Sequence, residues 1–142
     1  MTTKEYLSQL WRIDKVIKNK LSEIYQLKSL ACSVSVSYDK ESVKTSKKYD
    51  TISDPVSKIV DLENETTDLV NFYIDKKEHI ISQIDSLSDP FFYHVLSMRY
   101  IGNKTFEDIS SDLAYSKRQV LRLHDKAISD FEKKYGCEYL AQ

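Results

Sequence analysis

With only two glycines and two prolines in 142 residues, the chain is poor in the residues that make tight turns. Hairpin-rich β-sheets and doubly wound α/β folds need many such turns, so the shortage shifts the expectation to helices. Cysteine is equally scarce, and Cys32 and Cys137 stand far apart with no C-x-x-C spacing. Two isolated thiols cannot build the disulfide framework of a small secreted domain and are expected to be reduced. No run approaches the roughly eighteen apolar residues of a membrane span, and the opening MTTKEYLSQLWRID has no apolar signal core. The expectation is a soluble, intracellular protein with no membrane partner. Net charge is small as well, −1 at neutral pH, but its parts are unevenly spread. Lysine and arginine crowd the early chain while aspartate and glutamate crowd Asp54 to Asp85, so the total says nothing about partners.

What the chain has in quantity is helical period. Thr2 and Glu5 form a T-x-x-E capping box, after which Tyr6, Leu10, Ile13, Ile17, Leu21, Ile24 and Leu27 recur at steps of three and four. This predicts a helix from about Thr3 to about Ala31 with one apolar stripe to bury. The stretch CSVSVSYDKESVKTSKKYDTIS then loses the period, predicting a flexible loop over 32–53. Its Lys40, Lys44, Lys47 and Lys48 are available for loose phosphate contacts. Asp54 is placed as an N-cap and Pro55 as the first position of a second helix. Ile59, Leu62, Thr66, Leu69, Tyr73, Ile80, Ile84 and Leu87 carry that helix to about Ser88. Residues 1–88 thus read as a helical hairpin, its acid-rich second arm facing a lysine-rich first. Trp11, Val16, Val70, Phe72 and Ile74 lie off the main stripes, which predicts a homo-oligomer formed through the hairpin.

Ser88-Asp89-Pro90 repeats the helix-start punctuation and marks a second unit, 89–142. Helix is expected through PFFYHVLSMRY, with pauses at Ile101–Lys104 and at Ala114-Tyr115 and restarts at Thr105 and Ser116. Both restarts carry capping boxes, Thr105 with Asp108 and Ser116 with Gln119. Three short helices with tight turns predict a helix-turn-helix, and the fold class as a whole is all-α. Phe106, Ile109 and Leu113 mark one buried face, and Val120, Leu123 and Ala127 the next, with small Ser110 where the two helices come closest. Ala114 stands where such turns often carry glycine, and a left-handed conformation there costs a non-glycine residue roughly 1–2 kcal/mol.

Helix 116–127 then exposes Lys117, Arg118, Gln119, Leu121, Arg122 and Lys126. A helix dipole disfavours cations at its N-terminus by a few tenths of a kcal/mol or more, so a partner outside the helix is expected. Double-stranded DNA supplies one: Arg or Lys pairs with guanine edges and Gln with adenine in the major groove. Gln119 is shared between capping and reading, and Thr105 offers its hydroxyl and the free N–H groups behind it to a phosphate.

The run HVLSMRYIGNKTFEDISSDLAYSKRQVLRLHDKAI resembles region 4 of bacterial sigma factors, through Val95-Leu96, Arg99-Tyr100, Thr105 to Ile109, the Ser-x-x-x-Val start of the reading helix and Lys126-Ala127-Ile128. With the hairpin, the Ser/Lys loop and VDLENE at Val60–Glu65, the whole chain looks like the phage late transcription regulators of the RinA and ArpU type. The resemblance implies a phage-encoded DNA-binding activator of late or packaging genes, acting in the bacterial cytoplasm with RNA polymerase as a further partner. The sigma-factor segment that melts promoters has no counterpart here, and Leu121 stands where sigma factors often place Arg, so their sequence preference does not carry over.

Two other classes compete. One is a sigma-like protein-interaction module that binds polymerase or a host protein without reading DNA; the other is a DNA-packaging component of the small-terminase kind. His79, His94 and His124 lack ligand spacing, so no metal is expected. Phe91, Phe92, Tyr93 and Tyr100 read as core. With no nucleophile beside a base, no phosphate loop and no cofactor motif, the chain is not expected to be an enzyme.

Overall fold

The Thr2/Glu5 capping box opens the first helix: Thr2 N–H donates to Glu5 Oε2 at 2.7 Å and Glu5 N–H to Thr2 Oγ1 at 3.3 Å. Those bonds hold the Glu5 carboxyl below its ordinary pKa, the Thr2 backbone bond contributing most. The computed structural model describes residues 1–41 and 49–142, with side chains for 1–34 and 55–142. All its regular elements are helical: α1 (Thr3–Glu41), α2 (Tyr49–Asp85), α3 (Pro90–Leu96), a π-helical turn Ser97–Ile101, α4 (Phe106–Leu113) and α5 (Lys117–Tyr139). None of these helices is long and apolar enough to cross a membrane.

The loop predicted over 32–53 is helical as far as Glu41 and again from Tyr49. Ser and Val cost only a few tenths of a kcal/mol against a good helix former, and lengthening an existing helix needs no new nucleus. Loss of apolar period therefore ended the buried stripe and not the helix. Asp54 and Pro55 do not start α2, because Pro55 lies inside it. A proline there forfeits one ladder bond and crowds the carbonyl four residues back, at a cost of about 3 kcal/mol that a first-turn position would have avoided. Lys44, Lys47 and Lys48, and the side chain of Lys40, lie outside the described residues.

Along both long helices a line of covered positions alternates in steps of three and four, with Leu7 and Gln83 also buried beside it. On α1 they are Thr3, Tyr6, Leu10, Ile13, Ile17, Lys20, Ile24 and Leu27; on α2, Ile59, Glu63, Thr66, Val70, Tyr73, Lys77, Ile80 and Ile84, with Leu87 just past its end. Leu21, Leu62 and Leu69, expected in the stripes, are exposed instead. A 3.5-residue seam and a 3.6-residue stripe diverge by a position within a few turns, and here the seam prevails, taking in Lys20, Glu63 and Val70.

Two compact units divide the chain, residues 1–14 with 75–142, and residues 15–74. The division falls within the predicted hairpin and not at residue 88. In the first unit Tyr6 of α1 stacks on Tyr139 of α5, centroids 4.2 Å apart at 11°, and both pack around Phe131. Buried polar groups are chained together: Tyr6 donates to Gln83 Oε1 at 2.9 Å, Gln83 to Glu138 at 2.7 Å, Tyr139 to Thr3 Oγ1 at 3.0 Å, and Thr3 to Glu132 at 2.5 Å. Burial pushes the Tyr6 hydroxyl up to about 12. Asp14 and Lys77 pair at 2.5 Å, so α1 and α2 are antiparallel here. In the second unit Lys28 and Glu63 pair at 3.6 Å. Trp11 is thus taken up within its own unit and Val70 is buried, whereas Phe72 and Ile74 are exposed.

The third C-terminal helix is not short. α5 runs 23 residues, because beyond Ala127 it buries Ile128, Phe131 and Tyr139 against the first unit's core. Asp89 caps α3 through the N–H groups of Phe91 and Phe92, with Pro90 at the first position. Gly102 follows the π-turn because a Cβ there would lie 2.9 Å from the Met98 carbonyl oxygen.

Candidate nucleic-acid interface

Two reciprocal capping boxes set the helix starts that carry this surface. Thr105 Oγ1 accepts from Asp108 N–H at 3.2 Å while Asp108 Oδ2 accepts from Thr105 N–H at 3.4 Å. Ser116 Oγ accepts from Gln119 N–H at 3.2 Å and Gln119 Oε1 from Ser116 N–H at 3.1 Å. Between them Ala114 is left-handed, φ 54° and ψ 34°. The turn is clamped by Ser110, whose hydroxyl donates to the Tyr115 carbonyl at 2.5 Å and whose carbonyl accepts from Tyr115 N–H at 3.1 Å. Ser110 is small because it must reach under this turn. Ala114→Gly relieves roughly 1–2 kcal/mol of strain and gives back about 0.4–1 kcal/mol of unfolded-state entropy. The variant is therefore expected to melt at a slightly higher temperature in calorimetry; a lower one would show that the turn is unstrained.

The seven residues singled out from sequence divide into two sets. Thr105 and Gln119 are engaged as caps, and Lys117 Nζ pairs with Glu107 of α4 at 2.6 Å, holding the Glu107 carboxyl below its ordinary range. Part of the answer to the cation at the α5 N-terminus is therefore internal: Glu107 supplies the opposite charge. Arg118, Leu121, Arg122 and Lys126 are exposed, and the three cations among them make no ion pair among the described residues. Arg118 and Arg122 are one helical turn apart, so they share a face.

Beside that face lies a groove of about 330 Å³ lined by Phe91, Tyr115, Gln119, Arg122, Leu123 and Lys126. Phe91 and Tyr93, expected in the core, are exposed, while Tyr100 is buried. Pattern alone could not separate them, since α3 is only two turns long.

Sequence reasoning missed the support beneath the surface. Arg99 lies over the rings of Trp11 and Phe106, 5.0 and 4.6 Å from their centroids, and donates to the Lys104 carbonyl at 2.8 Å. It thereby ties α1 to the residue preceding the Thr105 cap. Tyr100 stacks on Trp11, and its hydroxyl hydrogen-bonds His124 Nε2 at 2.9 Å. Burial pushes the His124 imidazole down to about 4 and the Tyr100 hydroxyl up to about 12. The adjacency of Arg99 and Tyr100 was the only available sign, and their partners are too distant in sequence to guess.

A family model described as a protein of unknown function, DUF1492, matches residues 30–132. No curated protein and no solved structure matches the chain.

Proposed function

The chain belongs to the DUF1492 family, whose function is unknown, and we propose that it is a phage-encoded, sequence-specific DNA-binding transcription regulator. In this reading α4, the Ala114 turn and α5 are a helix-turn-helix, and the first turns of α5 enter the major groove. One observation carries it: Arg118, Arg122 and Lys126 are exposed without ion-pair partners among the described residues, along a helix whose start is already complete in its own caps. Cations so placed suit phosphates and guanine edges. Lys117 then braces α4 and turns toward DNA only by exchanging Glu107 for phosphate. The protein is a binding protein, not an enzyme, and its expected setting is the bacterial cytoplasm. Activation of late or packaging genes follows from the sequence resemblance to late regulators, with RNA polymerase as the partner.

Selection of bound fragments from the parent phage genome, followed by mobility shift at fixed salt, tests this. Arg122→Ala is expected to weaken the selected site by about 1–3 kcal/mol and to relax discrimination at one or two base pairs. Lys126→Ala, further along the helix, should weaken selected and scrambled duplex alike, with a shallower salt dependence. Unchanged discrimination by both Arg122→Ala and Arg118→Ala, in folded protein, would overturn direct reading. The exposed Phe91 beside the groove favours the second reading, a polymerase- or host-protein-binding module.

A further inference from the structure

The unit of residues 15–74 keeps little apolar surface out of water. Among its described side chains only Ile59 and Val70 are buried, and its seam carries Lys20, Glu63 and Thr66. Each of its helices shows a second stripe, offset from the seam and open to solvent. On α1 the stripe is Lys18, Leu21, Tyr25 and Lys28, at steps of three, four and three. On α2 it is Leu62, Glu65, Leu69 and Phe72, with the same steps. Tyr25 is 73% exposed, Phe72 60% and Leu21 52%, which for large apolar side chains at coiled-coil spacing marks an unfilled packing face.

The two stripes match each other. Both span eleven residues, ten steps of rise or about 15 Å of helix. Their charges are opposite, lysines flanking the apolar pair on α1 and a glutamate set among the apolar residues on α2. The asymmetry extends to the whole segments: 15–34 holds four lysines and one glutamate, and 55–74 four carboxylates and one lysine. We propose that a second copy of this chain covers these faces, the α1 stripe of one copy packing on the α2 stripe of the other. Leu21 and Tyr25 then fill the spaces between Leu62, Leu69 and Phe72, while Lys18 meets Glu65 and Lys28, held at 3.6 Å from Glu63 of its own chain, adds positive charge beside it. Like stripes are kept from pairing by their own charge, since two α1 stripes would oppose lysines. The contact does not depend on DNA reading and holds even if α5 never meets DNA.

Complementation of two full-length variants tests the contact. Leu21→Glu/Tyr25→Glu disables the α1 stripe and leaves α2 intact; Leu69→Glu/Phe72→Glu does the reverse. All four positions are exposed, so helicity by circular dichroism should match wild type. At tens of micromolar in light scattering, wild type is expected at two or more times its 16.6 kDa monomer mass and each variant alone at the monomer mass. An equimolar mixture of the variants should regain twice the monomer mass, because each supplies the stripe the other lacks. A monomeric wild type, a variant that associates alone as wild type does, or a mixture that stays monomeric would each overturn the proposal.

Discussion

Residues 89–142, expressed alone, should fail to fold. The sequence punctuation at Ser88-Asp89-Pro90 makes this fragment look like a natural domain, but its core is completed by α1 and α2. Without residues 1–14, Tyr139 and Phe131 lose the ring of Tyr6, and Tyr100 and Arg99 lose the indole of Trp11. Without α2, Glu138 loses Gln83, and the apolar wall of Ile80, Ile84 and Leu87 goes with it. Each large core side chain uncovered costs on the order of 2–5 kcal/mol, against a total stability of about 5–15 kcal/mol for a domain. Circular dichroism of the fragment is expected to show low helicity and no cooperative melt. Tyr6→Ala in the full chain gives the same result in smaller measure, a loss of about 3–5 kcal/mol in urea unfolding. A cooperative melt of the fragment near that of the full chain would show that the two ends of the chain only lie alongside the C-terminal helices.

Acid should loosen the same unit through His124. The buried imidazole has its pKa pushed from 6.5 to about 4 by desolvation, with the Lys4 and Arg99 charges lowering it further and Asp125 opposing. Above pH 6.5 the ring is neutral in folded and unfolded chain alike, and its contribution is fully present. As pH falls from 6.5 toward 4, the unfolded chain takes up a proton that the folded one refuses, so stability is lost across that window. The depression corresponds to about 3 kcal/mol between pH 7 and pH 4. Carboxylates add their own acid dependence, so the measurement is a comparison: urea unfolding of wild type and His124→Gln at both pH values. Glutamine keeps an acceptor for the Tyr100 hydroxyl but does not titrate. Its loss of stability on acidification should be smaller by about 2–3 kcal/mol. Equal losses would mean that His124 is charged in the folded protein.

The sequence by itself determined the local features of this protein. Asp89, Thr105 and Ser116 set helix starts because a cap needs only atoms two or three residues away. Scarcity of turn residues determined that the fold is all-α, and the polar side of the α5 period left Arg118, Leu121, Arg122 and Lys126 exposed. Three things were decided by the tertiary structure. The buried seam chose Val70 over Leu69 and Glu63 over Leu62, because two packed helices must stay in register and an isolated stripe need not. Lys117 took Glu107 as its counter-ion across the turn between α4 and α5. The boundary of the first unit was drawn by contacts such as Tyr6 with Tyr139, at opposite ends of the chain, and no local pattern records which ring will meet which once both are driven from water.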